Sequence, residues 1–160
     1  MGFFNHLFSL EKFDAVSSQP PAPIALTSEM GLAAETVALV LAEIDVDIAI
    51  SAHENWKERL QSVLDGQPSY FLHTDVACHD NYCDLGKWLH GAGGQRFLRY
   101  PAFIALLSWH RDFHIEAARV LAHAQAGDME KAREILGGSY HRASSQVILL
   151  LKELKRSLRR

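Results

Sequence analysis

Cysteine is scarce in this chain. Two residues in 160, Cys78 and Cys83, are too few and too close together for a disulfide framework, and this points to a reducing, cytoplasmic setting. Uninterrupted apolar runs are also missing: no stretch approaches the roughly 20 residues that a membrane-spanning helix needs, so no membrane span is expected. The apolar start, Gly2 to Phe8, lacks the charged flank, long apolar core and small-residue cleavage site of an export signal, and His6 stands where a lipid-attachment motif needs Ser or Thr. There is no excess of either charge. A formal net charge of -3 gives no basic field for nucleic acid, so no nucleic-acid partner is expected. Only the last turn, Lys152, Lys155, Arg156, Arg159 and Arg160, is strongly basic, and cations there complement a helix C-terminus.

At this length a single domain can bury roughly 70% of its unfolded surface, so no metal or disulfide is required to make a core. Residues 17–25, Ser-Ser-Gln-Pro-Pro-Ala-Pro-Ile-Ala, read as an extended linker because Pro blocks helix and biases its neighbour away from it. They separate a short N-terminal amphipathic tip, with Phe3, Phe4, Leu7 and Phe8, from the rest. Residues 1–26 are therefore expected to be tip and linker, and 27–160 the domain.

Within the domain the apolar spacing is helical throughout, and strand-like alternation is missing. A first helix is expected from Thr27 or Ser28 up to the break at Pro68, some 36 residues or roughly 54 Å. It has two apolar stripes, Val37, Leu41, Ile44 and Ile48 on one side, and Leu39, Val46, Ile50, His53, Trp56 or Lys57 and Leu60 on another. One stripe serves the domain's own core and the other a second copy, so a homodimer is expected. Residues 69–80 are loop or short helix. A short helix spans about Asp80 to Leu89, ended by the glycines at 91, 93 and 94. A long helix runs from near Arg99, with Pro101 in its first turn, to about Ala126, with the seam Phe103, Leu107, His110, His114, Ala118 and Leu121. The last runs from Asp128 or Met129 toward Leu158, with the seam Leu136, Tyr140, Ala143, Val147, Leu151, Leu154 and Leu158. Gly137 and Gly138 mark a kink or a close helix contact in it. The expected fold is all-α: an antiparallel four-helix-type bundle with a short extra helix.

Histidine is the residue the chain has in excess, and three of the nine interrupt apolar seams. His110 and His114, four apart on one helix face, can reach the same metal ion, and His53 continues the seam of the first helix. A thiolate would complete a tetrahedral shell. Spacing alone does not choose Cys83 over Cys78 or over a carboxylate such as Glu116. His73 and His79 flank Cys78, while His6, His90, His123 and His141 sit in polar or terminal contexts that suit solvated side chains. A di-iron or oxygen-binding bundle also uses His at this spacing, but needs several inward carboxylates that these seams hardly supply.

Three segments carry a resemblance. His53-Glu54-Asn55-Trp56-Lys57 is similar to an H-x-x-W-[KR] signature, Cys83-Asp84-Leu85-Gly86-Lys87-Trp88-Leu89 to C-x-L-G-x-W, and His110-Arg111-Asp112-Phe113-His114 to a closing H-x-x-x-H. In this order they resemble the chemoreceptor zinc-binding (CZB) domain, over about residues 35–158. The resemblance implies a helical, usually dimeric bacterial cytoplasmic module that binds Zn²⁺ through three His and one Cys. Carried over by motif position, the metal ligands are His53, Cys83, His110 and His114. Such modules accompany chemoreceptor signalling regions or diguanylate cyclase domains and regulate them according to zinc, with oxidation of the ligand Cys as a further signal. The 160 residues hold no output domain of that kind, so the expected partner is a separate chemotaxis or cyclic-di-GMP signalling protein. A closed four-ligand shell leaves no position for water, so a sensor or regulator is expected and an enzyme is not; an adaptor with a purely structural zinc, binding partners through residues 1–14, is the other reading. Glu54, Asp84, Asp112 and Glu116 are the carboxylates near enough in sequence to orient the imidazoles, and Trp56 and Trp88 are expected to pack around the site.

Overall fold

The computed structural model describes residues 34–67 and 73–159. The expected tip and linker, residues 1–26, lie outside the described residues, as does the expected start of the first helix at Thr27 or Ser28. Among the described residues eight α-helices follow one another: α1 Ala34–Glu43, α2 Val46–Leu64, α3 Thr74–Ala77, α4 Asp84–His90, α5 Ala92–Phe97, α6 Pro101–Gln125, α7 Met129–Ile135 and α8 His141–Ser157. A single π-helical turn, Leu136–Tyr140, joins the last two. The described residues contain no strand, and the fold is an all-α bundle in which α2, α6 and α8 pack on one another, with α3 against α6.

The long first helix is in fact two. Asp45 adopts an extended backbone and its carboxylate accepts from the N–H groups of Asp47 (2.9 Å) and Ile48 (3.0 Å), so it caps α2 and ends α1. An Asp in mid-pattern offers the backbone an alternative to the helical bond, and such a cap contributes about 1 kcal/mol. The break also splits the apolar stripes. Val40, Ile44, Val46, Ile50, His53 and Leu60 are buried, whereas Leu41 and Ile48 are 61% and 66% exposed. At its C-terminal end α1 is tied down by Glu43, which accepts from the Trp88 indole at 3.1 Å and pairs with Arg96 at 2.8 Å. Those hydrogen bonds, that from Arg96 first, hold the Glu43 carboxyl below its ordinary value.

Two glycine expectations need correction. Gly93 and Gly94 do not end a helix but lie inside α5, where the chain runs so close to α4 that a Cβ at Gly93 would meet the Trp88 ring at 2.8 Å and one at Gly94 the Leu89 carbonyl at 2.5 Å. Gly91 makes the break instead. At Gly137 and Gly138 a Cβ would meet nothing, so no close helix contact requires them, and the irregularity is the π turn itself.

The remaining elements follow the sequence pattern. Pro101 opens α6, where its missing N–H costs nothing. Gly127, at a φ of +79°, provides the left-handed residue that turns α6 into α7. All seven residues of the last seam are buried, from Leu136 through Tyr140 to Leu158. Each such leucine contributes roughly 1.5–3 kcal/mol by leaving water. In α6 the buried face is wider than expected, adding Leu106, Phe113, Ala117, Val120 and Ala124.

Candidate metal centre

His53 sits midway along α2 and is 2% exposed; His110 and His114, on the inward face of α6, are 0% and 3% exposed. Uncharged imidazole is the form such burial favours. Burial holds the His53 value down to about 4 and that of His110 to about 2, and it lowers His114 as well.

What fixes these rings is the backbone. His53 Nδ1 donates to the Ala49 carbonyl at 2.7 Å, and His114 Nδ1 donates to the Ala77 carbonyl at 2.9 Å. A carbonyl only accepts, so each proton resides on Nδ1 and each Nε2 is a bare lone pair. Both Nε2 atoms are buried with no hydrogen-bond partner. In His110 the Nε2 faces Cys83 Sγ at 3.2 Å, and its Nδ1 has no partner. The carboxylates proposed for this orienting role do other things: Glu54 pairs with Lys152, Asp84 with Lys87, Asp112 lies beside Arg111, and Glu116 accepts from Arg119 and Ser139.

Cys83 is the N-cap of α4, and its sulfur accepts from the Gly86 N–H at 3.2 Å. Gly86 makes this possible, because a Cβ there would come within 1.6 Å of the Asp80 carbonyl oxygen. The chain before α4 thus folds back over the glycine and aims the sulfur inward. Burial pushes the thiol up from its ordinary value, while the N–H groups of Gly86 and Leu85 work in the opposite direction.

One donor atom from each of His53, Cys83, His110 and His114 lies within 4.8 Å of the others. A tetrahedral zinc shell with bonds of about 2.0–2.3 Å has edges of roughly 3.5 Å, so the four need only close slightly. Two of the four, Nε2 of His53 and Nε2 of His114, are buried lone pairs with no donor to satisfy them, and that is what a cation requires. The donor set therefore fits zinc. It contains no carboxylate, which a di-iron centre would need.

Cys78 and Glu116, left open by spacing alone, stand apart. Cys78 is exposed and its thiol points to the Asp75 carbonyl at 3.3 Å. His73 and His79 are exposed, His90 pairs with Asp80, and His123 with Asp128. Trp88 is buried in the core beside Phe97 and Phe103. Trp56 is half-buried, edge-on to Phe113 and His114 at 6.2 Å from each.

No match was found among curated proteins or among solved structures. A family model does match: the chemoreceptor zinc-binding domain, over residues 53–121. The matched segment begins and nearly ends on the centre's own elements, taking in all four donors. It stops short of the expected 35–158, leaving out α1, α7 and α8. The signature residues converge in space and the family model matches the same stretch: residues 53–121 match the chemoreceptor zinc-binding domain, and the four-donor cluster is suited to holding zinc, the metal of that domain.

Proposed function

We propose that this chain is a zinc-binding sensory regulator whose ligands are His53, Cys83, His110 and His114, and that it acts as a homodimer on a separate bacterial signalling protein of chemotaxis or of cyclic-di-GMP turnover. The observation that carries the zinc reading is the pair of bare, buried Nε2 atoms on His53 and His114, aimed at the same space as Cys83 Sγ. Zinc would supply a positive charge that neutral imidazoles and a deprotonated thiol can share. Among the described residues the cluster holds four donors, and a closed four-ligand shell leaves no position for water, which favours regulation over chemistry on a substrate.

The four donors come from three places in the chain. His53 belongs to α2, Cys83 to the cap of α4, and His110 with His114 to α6. Joint ligation ties the α3–α4 segment to the two long helices, and loss of any donor frees it. Cys83 is the nucleophilic member. Attack of its thiolate on peroxide would form a sulfenic acid and release hydroxide, removing one ligand and so coupling zinc occupancy to oxidants. Exposed Leu41 and Ile48 are the surface we assign to the second copy.

Amide exchange tests this. Stripping the metal with a chelator, or oxidising Cys83 with peroxide, is expected to raise exchange around residues 50–56 and 80–90. Equal protection in all three states would refute the proposed coupling.

A further inference from the structure

The centre is closed on the His53 and His110 side and open at one corner. Cys83 is the only one of the four donors that is not fully buried. Beside it lies a groove of about 290 Å³ whose walls include Trp56, Arg59, His79 and Tyr82, with Cys83 and His114 at its inner end. Arg59, His79 and Tyr82 are exposed and His114 is buried, so the groove runs from the surface to the centre.

Its lining is one-sided, the carboxylates whose charge acts on the Cys83 thiol, Asp84 and Asp80, standing outside it. No carboxylate is found among the described lining residues. The one formally charged side chain is Arg59, whose guanidinium lies over the Trp56 ring at 5.1 Å from its centroid. Trp56 in turn stands edge-on to His114, so the cation is held above the mouth by a ring that itself packs on the centre. Arg59 has no carboxylate partner among the described residues, which leaves its charge unspent. On the other wall His79 and Tyr82 stack at 4.8 Å between centroids, presenting further hydrogen-bond donors and no acid. The volume lies at the bottom of the range for ligand pockets, roughly 300–1,000 Å³, and so suits a small molecule.

We propose that this groove is an anion-preferring entrance to Cys83, and that Arg59 sets the preference. Its ligands are small anions carrying a thiol-reactive or metal-chelating group, which gain attraction from Arg59 on approach and meet the sulfur at the inner end. The inference deepens the proposed sensory role by naming which molecules reach the centre. It rests on that reading only for its physiological meaning, since the route to the sulfur exists whether or not metal is bound.

A matched pair of reagents tests the route. Iodoacetate and iodoacetamide are nearly isosteric and differ in charge; each alkylates a thiolate by forming a C–S bond and expelling iodide. In a Cys78→Ala background, with Cys83 alkylation read by mass spectrometry at low salt, Arg59→Glu is expected to lower the iodoacetate rate relative to iodoacetamide by about fivefold. Arg59→Ala should fall between, Arg59→Lys should retain the preference, and added salt should shrink the difference. A change in folding would alter both reagents together, and because loss of the ion would itself change the charge at the sulfur, the ratios are compared at equal zinc content, measured in parallel. A ratio unchanged in Arg59→Glu, or a Lys variant that behaves like Ala, would overturn the proposal.

Discussion

The orienting groups of the centre are main-chain carbonyls, and this explains what could and could not be read from individual residues. The three His were visible because each interrupts an apolar seam. Choosing Cys83 over Cys78 needed the family signature, since the decisive fact is conformational: Cys83 caps α4 with its sulfur held by Gly86 N–H, and Cys78 points outward. The acceptors for His53 and His114, the carbonyls of Ala49 and Ala77, belong to residues whose side chains carry no polar atom, so no residue-type pattern could disclose them. Gly86 is the most exacting position. Placing a Cβ against the Asp80 carbonyl forces the chain before α4 outward and takes the Cys83 sulfur with it, at a cost of about 1–3 kcal/mol. Gly86→Ala is thus expected to lower zinc content in the purified protein while leaving the helical circular dichroism largely intact. Full zinc occupancy in that variant would show that the close approach does not position the sulfur.

Helices carrying buried, neutral imidazoles place a pH limit on the metal-free bundle. Folded His53 resists protonation down to about 4, whereas the same side chain in the unfolded chain takes up a proton near 6.5. Between those values the unfolded state binds more protons, so stability is complete above about 6.5 and falls as pH drops toward 4. His110 and His114 act in the same direction. Urea midpoints of the chelated protein should therefore decline on acidification across this window, and midpoints independent of pH would contradict the burial of these rings in their uncharged form. Helix existence and the inward faces of α6 and α8 were legible from spacing by threes and fours. The break at Asp45 was not, because capping competed with an apolar pattern that continues unbroken across it. Nor was the nature of the Gly137–Gly138 irregularity, since a π turn and a kink leave the same trace in a sequence.

Across the whole molecule, the bundle surrounds its centre except at the Cys83 corner, and the two most exposed large hydrophobic side chains among the described residues lie at the α1–α2 junction. Leu41 and Ile48 stand out on that surface, and Leu39 is 46% exposed. Light scattering is expected to give a dimer for the parent protein and a monomer for Leu41→Glu combined with Ile48→Glu; a dimer surviving both changes would move the interface elsewhere. The expectation of a second copy came from a helix apolar on two sides, and its assignment to Leu41 and Ile48 is our proposal, supported by their exposure. The central claim concerns the interior, that one sulfur and three imidazoles from α2, α4 and α6 hold a single ion. Metal content of the purified protein tests it most directly, set beside Cys83→Ala and His110→Ala variants shown to be folded. One zinc per chain in the parent and a large loss in both variants is the predicted result; a metal-free parent, or variants that retain full zinc, would contradict it.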